Sequence, residues 1–113
     1  MSEQKNLADV TTNVGTNLLF ENEHIRVWDL RLKPGENIGL HRHEYRYAIV
    51  TLADGRLRGI NPDGSTRFES DQVDGQVAYR ALEESDVHDA MNVGDSDWRN
   101  LVIEFKDKPA DPG

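Results

Sequence analysis

The sequence predicts an all-β domain of the sandwich or closed-barrel type, on three observations. Apolar and polar residues alternate over roughly eight or nine short runs, the period-two pattern of strands with a buried face. Turn-forming residues separate these runs at even intervals: Lys33-Pro34-Gly35-Glu36, Ala53-Asp54-Gly55, Asn61-Pro62-Asp63-Gly64, Asp74-Gly75 and Gly94-Asp95-Ser96-Asp97. No stretch of useful length repeats its apolar residues with a helical period. At 113 residues the chain is expected to form one domain around one core.

Residues 1–16 are polar and show no clear period, so they read as an N-terminal arm or an opening edge segment. From Asn17 the pattern turns to β, with Leu18, Leu19 and Phe20 running into Glu21-Asn22-Glu23. His24 to Leu32 places Ile25 and Val27 on one face and Arg26, Trp28, Leu30 and Leu32 on the other. Apolar residues on both faces suit a strand inside a two-sheet structure. Further strands are expected over 38–43, 46–53, 56–61, 66–69, 76–82, 87–93 and 98–106. Asn-Pro-Asp-Gly is the strongest hairpin signal among the turns. Residues 107–113 carry two prolines among charges and read as a flexible tail. The barrel itself is then 17–106, with Phe20, Trp28, Trp98, Leu101, Ile103 and Phe105 supplying core or dimer contacts.

A formal charge of −8 argues against a nucleic-acid-binding surface, which needs clustered Lys and Arg, and against anionic membranes. Cysteine is absent, so disulfides, thiolate metal sites and cysteine nucleophiles are excluded, and a metal would need N and O ligands. The start of the chain has neither a basic n-region nor an apolar h-region, and no run nears the roughly 18 apolar residues of a membrane span. A cytoplasmic location is the default expectation.

The chemistry-bearing feature is His41-Arg42-His43. On a strand, residues i and i+2 share a face, so both imidazoles point the same way and Arg42 points away. Two converging imidazoles are half of a transition-metal site. His88 is the candidate third member, with Asn92 on its face as a structural hydrogen-bonder. His24 has no motif partner and reads as a strand-start residue.

These residues resemble the two motifs of the cupins, which are small double-stranded β-helix (jelly-roll) proteins. The first motif runs glycine, five residues, His-x-His, three or four residues, Glu, six residues, Gly. Gly35, His41, His43 and Gly55 match it. The second runs glycine, five residues, Pro-x-Gly, two residues, His, three residues, Asn. Gly75, His88 and Asn92 match it. Two departures stand out. The Glu position falls on Tyr47 or Ala48, and strand parity favours Tyr47 as the side chain sharing the site. Ala81-Leu82-Glu83 replaces Pro-x-Gly, with two extra residues before His88.

The resemblance implies a cupin jelly roll, a homodimer, and a divalent transition metal (Fe, Zn, Ni or Mn) on His41, His43 and His88. Such a centre suits Lewis-acid polarisation or binding of O₂ with a chelating substrate, as in a dioxygenase or isomerase acting on a small oxygen-rich metabolite. Tyr47 would serve as a hydrogen-bond donor or general acid. Glu44 and Asp86 are the carboxylates that could replace the missing Glu, although Glu44 points to the opposite face by parity. Arg42 and Arg46 are weighed against Arg80, which could line the cavity and select a carboxylate-bearing ligand. Two other readings stay open: a non-catalytic small-molecule sensor, and a metal-free isomerase or dehydratase using His and Tyr as acid and base.

Overall fold

The computed structural model describes residues 10–111. Nine strands and no helix occur among them: β1 (Asn17–Glu21), β2 (Ile25–Leu32), β3 (His41–His43), β4 (Tyr45–Thr51), β5 (Gly55–Ile60), β6 (Thr66–Gln72), β7 (Val77–Arg80), β8 (Asp86–Asn92) and β9 (Trp98–Pro109). They form a five-stranded sheet in the order β1-β2-β9-β4-β7 and a four-stranded sheet in the order β3-β8-β5-β6. Every ladder between these strands is antiparallel. The two sheets face each other, as the alternating pattern predicts for an all-β sandwich or barrel and the resemblance for a jelly roll.

β9 is the spine of the larger sheet, paired along its length with β2 on one side and β4 on the other. Its inner face carries Trp98, Asn100, Val102 and Glu104, all buried. Leu101, Ile103 and Phe105 take the opposite face and are only partly buried, and Phe20 on β1 is 51% exposed. The core therefore forms from Val14, Trp28, Tyr47 and Val102 in one cluster and Leu30, Leu32 and Trp98 in another. β9 is apolar on both parities, so the sequence pattern alone could not say which face turns inward. The buried Glu104 carboxylate meets Arg26 Nε at 2.6 Å and Trp28 Nε1 at 2.7 Å, both on Oε1. Those bonds offset much of the desolvation that a buried charge suffers.

Several expected boundaries move, as where the run expected at 66–69 reaches Gln72, and three of the shifts bear on the site. The run expected at 38–43 is strand only over His41–His43, because Gly39 adopts φ +100°, outside the range of extended L-residues. The described part of the expected tail is built into the fold: β9 continues to Pro109, which pairs with Tyr45, and Asp111 bridges Glu84, while positions 112–113 lie outside the described residues. Backbone bonds from Ala110 N to Glu44 O and from Ser85 N to Asp111 O hold that end. The described part of the expected arm is also built in. Val10 and Val14 are buried, and Thr11 bridges His41, so this segment flanks β3. Positions 1–9 of the arm lie outside the described residues.

If residues 10–16 are structural, Val14→Ala should lower unfolding stability by about 2 kcal/mol in urea titrations, as deletion of buried methyl groups does. An unchanged midpoint would mean that the segment is a free arm after all.

Candidate functional site

The three motif histidines meet because of strand register. In the β3–β8 ladder His41 lies directly opposite His88, and His43 opposite Asp86. His41 and His43 share a face by alternation, so all three rings enter the space between the sheets. Ring centroids stand 5.0 Å apart for His41 and His43, 4.7 Å for His41 and His88, and 4.8 Å for His43 and His88. One nitrogen from each lies within 4.8 Å of the others. His41 and His43 are buried at 3% exposure, and His88 is partly buried. They line a cavity of about 720 Å³ together with Tyr47, Arg67 and Arg80.

Two of the rings are oriented from behind. His41 Nδ1 lies 2.8 Å from the Gly39 carbonyl, which can only accept, so Nδ1 carries the proton and Nε2 keeps its lone pair. The same Gly39 donates its N–H to Asp89 Oδ1 at 2.8 Å. His88 Nδ1 lies 2.7 Å from Asp86 Oδ2, an arrangement that again frees Nε2. Arg67 Nη1 donates to both Asp86 oxygens, at 3.0 and 2.8 Å, and its Nη2 reaches the Val87 carbonyl. The His88 bond, together with the Arg67 guanidinium, holds the Asp86 carboxyl well below the usual carboxylate range. Asp86 is thus an ionised clamp behind His88 and not a member of the three-nitrogen group. Carboxylates and carbonyls behind imidazoles are what fix metal-ligand tautomers.

Burial dominates the remaining electrostatics. It pushes His41 down to about 4 and, with the neighbouring His41 and His88, holds His43 well below the ordinary range. Both rings are therefore neutral near pH 7, the form that binds metals. His43 Nδ1 is buried with no hydrogen-bond partner among the described residues. Tyr47 stacks on His43 with centroids 4.1 Å apart and planes 17° from parallel. Burial raises the Tyr47 phenol to about 12, so its O–H stays available as a donor.

These residues fit a divalent transition ion. Three imidazoles form a borderline-soft nitrogen set. Metal–nitrogen bonds of about 2.0–2.1 Å bring ligand nitrogens within about 4.2 Å of one another. The 4.8 Å bound here exceeds that only slightly, a gap that a small ring rotation spans. The orphaned His43 Nδ1 is the kind of buried polar atom that such a site leaves without a protein partner.

The other candidates sort clearly. Glu44 stays outside the cavity, where its carbonyl accepts from Ala110 N. Arg42 turns away from the imidazoles to Ser85. Arg46 pairs with Asp107 and covers Phe105. Asn92 is the structural hydrogen-bonder expected, donating to the Leu32 and Ser96 carbonyls and accepting from Gly94 N. His24 is exposed beside Glu23. Sequence reasoning missed Arg67, whose role depends on β6 reaching across β5 to β8, and Asp89, whose carboxylate ties Asn37 and Gly39 to β8. An acid beside His88 was the one signal for Asp89.

No family model matches the chain. It is 35% identical over 60 residues to the β-alanine degradation protein BauB of Pseudomonas aeruginosa, a match covering 53% of this chain and 61% of that protein. Among solved structures it is similar to a cupin domain from Bordetella pertussis, with TM-score 0.70, 28% identity, and coverage of 87% of this chain and 97% of the other. It is also similar to an RmlC-like double-stranded β-helix protein of Methanocaldococcus jannaschii, with TM-score 0.60, 16% identity, and coverage of 93% and 90%. No helix among the described residues is long and apolar enough to cross a membrane.

The depressed His41 value carries a sign. Between pH 6.5 and 4 the unfolded chain binds a proton that the folded chain refuses, so metal-free protein loses stability as pH falls through that window. His43 acts in the same direction, while the Asp86 contribution is lost only at still lower pH. Urea midpoints of chelator-treated protein should fall between pH 7 and 4.5 by a stability of about 2–3 kcal/mol, and less in His41→Gln. A flat profile would contradict the buried neutral imidazoles.

Proposed function

Because this chain folds as a small cupin, we propose that it holds a divalent transition metal on His41, His43 and His88 and acts there on a small oxygen-bearing molecule. The observation that carries this reading is the convergence of three nitrogen donors from β3 and β8 on the wall of a molecule-sized cavity. Cavities of some 300–1,000 Å³ with few converging polar groups are typical of small-molecule sites. The partial likeness to a protein named for β-alanine degradation agrees with a small metabolite as ligand.

The chain's own groups divide the work. Gly39 and Asp86 keep the proton on the outer nitrogens of His41 and His88, so both rings are set as donors before any ion arrives. Arg67 neutralises Asp86 and keeps that carboxylate off the ligand position. A bound divalent ion would polarise a ligand oxygen, and with no carboxylate among its three protein ligands it would keep its full charge. Tyr47 stands beside His43 and stays protonated, which suits it to donate a hydrogen bond to a ligand oxygen or to return a proton to it. The apolar flank from Val14, Leu57 and Phe68 limits water in the cavity.

Reconstituted protein should bind one Zn²⁺ or Ni²⁺ per chain in calorimetric titration, with elemental analysis in agreement. His43→Ala should abolish that binding while the fold persists by circular dichroism. Loss of the Asp86 clamp in Asp86→Asn should weaken metal affinity about 10–100-fold. Tyr47→Phe should leave metal affinity unchanged and weaken ligand binding or turnover instead. Absence of a stoichiometric ion in the unaltered protein sinks the proposal.

A further inference from the structure

We infer that Arg80 is the anchor for a carboxylate on the molecule this cavity accepts, so the ligand spans from the three imidazoles to the β7 edge. The inference deepens the preceding reading of the cavity as a metal-dependent small-molecule site and names its ligand class.

Two arginines line the cavity, Arg67 and Arg80. Arg67 is fully engaged, by Asp86 and the Val87 carbonyl and, through Nε, by Asn61. Arg80 makes a single long hydrogen bond of 3.4 Å to the neighbouring Tyr79 carbonyl and no ion pair among the described residues. That is unusual for this chain, which has 21 acidic residues to 13 basic ones. Elsewhere the acids have found the arginines: Glu104 holds Arg26, Asp29 holds Arg31 and Arg99, Asp107 holds Arg46, and Glu69 holds Arg56 and Arg58. An arginine on a cavity wall, left without a carboxylate in so acidic a protein and held only by one long bond from Nη1, keeps most of its fork for a carboxylate brought from outside.

Its placement suits that role. On β7, Ala78 and Arg80 alternate onto the cavity face, while Val77 and Tyr79 point outward and are exposed. Arg80 lies in register opposite Tyr47, whose ring stacks on His43. A ligand oxygen at the imidazoles and a carboxylate at Arg80 are therefore joined by a path alongside the Tyr47 ring. The cavity's own acids do not compete for Arg80. Asp86 is held by Arg67 and His88, Asp89 by Asn37 and the Gly39 and Ala90 amides, and Asp71 by Arg56. With no carboxylate among the three nitrogen donors, a bound ion would add positive charge to the same cavity. One planar fork suits a carboxylate, which it grips through two parallel bonds. Phosphate sites more often add a helix N-terminus or a nest of backbone N–H groups. The described residues contain no helix.

The test uses the zinc-loaded full chain and three probes: succinate, its neutral diamide succinamide, and inorganic phosphate. Calorimetry should show succinate binding to the unaltered protein and a loss of about 10–100-fold in Arg80→Gln, the scale of a charge-assisted bidentate pair. Arg80→Lys should recover part of it, because the charge returns without the fork. Succinamide should bind the unaltered protein and Arg80→Gln equally poorly. Arg80 is exposed and touches no imidazole, so Arg80→Gln should keep its melting temperature and its zinc stoichiometry. Failure of zinc to bind the unaltered protein would overturn the metal centre, while the Arg80 comparison would still be scored on metal-free protein. Equal succinate affinity in the unaltered protein and Arg80→Gln, or none in either, overturns the carboxylate anchor. Tighter, Arg80-dependent binding of phosphate overturns the choice of carboxylate.

Discussion

The register of β3 on β8 is the constraint from which the rest of the site follows. His41 opposite His88 puts two imidazoles on one face, and alternation along β3 adds His43. A slip of one residue would turn His88 to the other side of the sheet and set Val87 or Asp89 in its place, since strand side chains alternate with period two. Three residues of β3 pair with β8, too few to hold a register unaided. Reinforcement comes from outside the ladder. Ile38 N donates to Ala90 O, Arg42 N to Thr11 O, and the two Asp89 oxygens take the Asn37 amide and the Gly39 N–H. A buried carboxylate with three hydrogen bonds is costly to displace.

Charge is arranged in the protein by position and not by total. The chain is strongly acidic, yet its cavity gathers three imidazoles, a neutral phenol and two arginines, and its lining acids Asp71, Asp86 and Asp89 each have partners of their own. Acids near the site face away from its centre: Asp86 sits behind His88, Asp89 behind Gly39, and Glu104 beneath Trp28 with Arg26. Asp86 is held by Arg67 of β6, Asp89 by the segment that leads into β3, and Glu104 by β2, so the bonds that satisfy the carboxylates also brace neighbouring elements of the same sheet. Desolvation keeps the two buried imidazoles uncharged, while the Gly39 carbonyl behind His41 and the Asp86 carboxylate behind His88 turn the lone pairs of those two rings forward. Rigid orientation of this sort is what distinguishes a site from a mere collection of histidines.

Individual residues show where sequence reasoning reached and where it stopped. Period-two alternation put Trp28, Leu30 and Leu32 on one face without saying that it turns inward, which the core clusters show, and the turn residues located most strand ends. It could not choose between the faces of β9, where Leu101, Ile103 and Phe105 are more apolar than the buried face, because two of the buried members, Asn100 and Glu104, are polar. A buried Glu is legible only through its partners, Arg26 and Trp28, and both lie more than 70 positions away. Prolines and charges made the end of the chain look loose, while pairing of Tyr45 with Pro109 and of Glu84 with Asp111 extends the sheet across it. Backbone pairing of this sort depends on which strand edges are vacant, a property the sequence does not display.

What the sequence determined by itself is local: strand periodicity, turn chemistry, the shared face of His41 and His43, and the substitution of Tyr47 where a carboxylate stands in the resembled motif. Those follow from the geometry of neighbouring residues along one chain. Only the tertiary structure decided that His88 closes the group, that Asp86 stands behind it and not beside a ligand, and that Arg67 is engaged by a carboxylate while Arg80 has no ion pair among the described residues. Each of these depends on distances between strands far apart in sequence. Electrostatic and hydrogen-bond partners are chosen by that proximity, and proximity exists only once the two sheets have closed on each other.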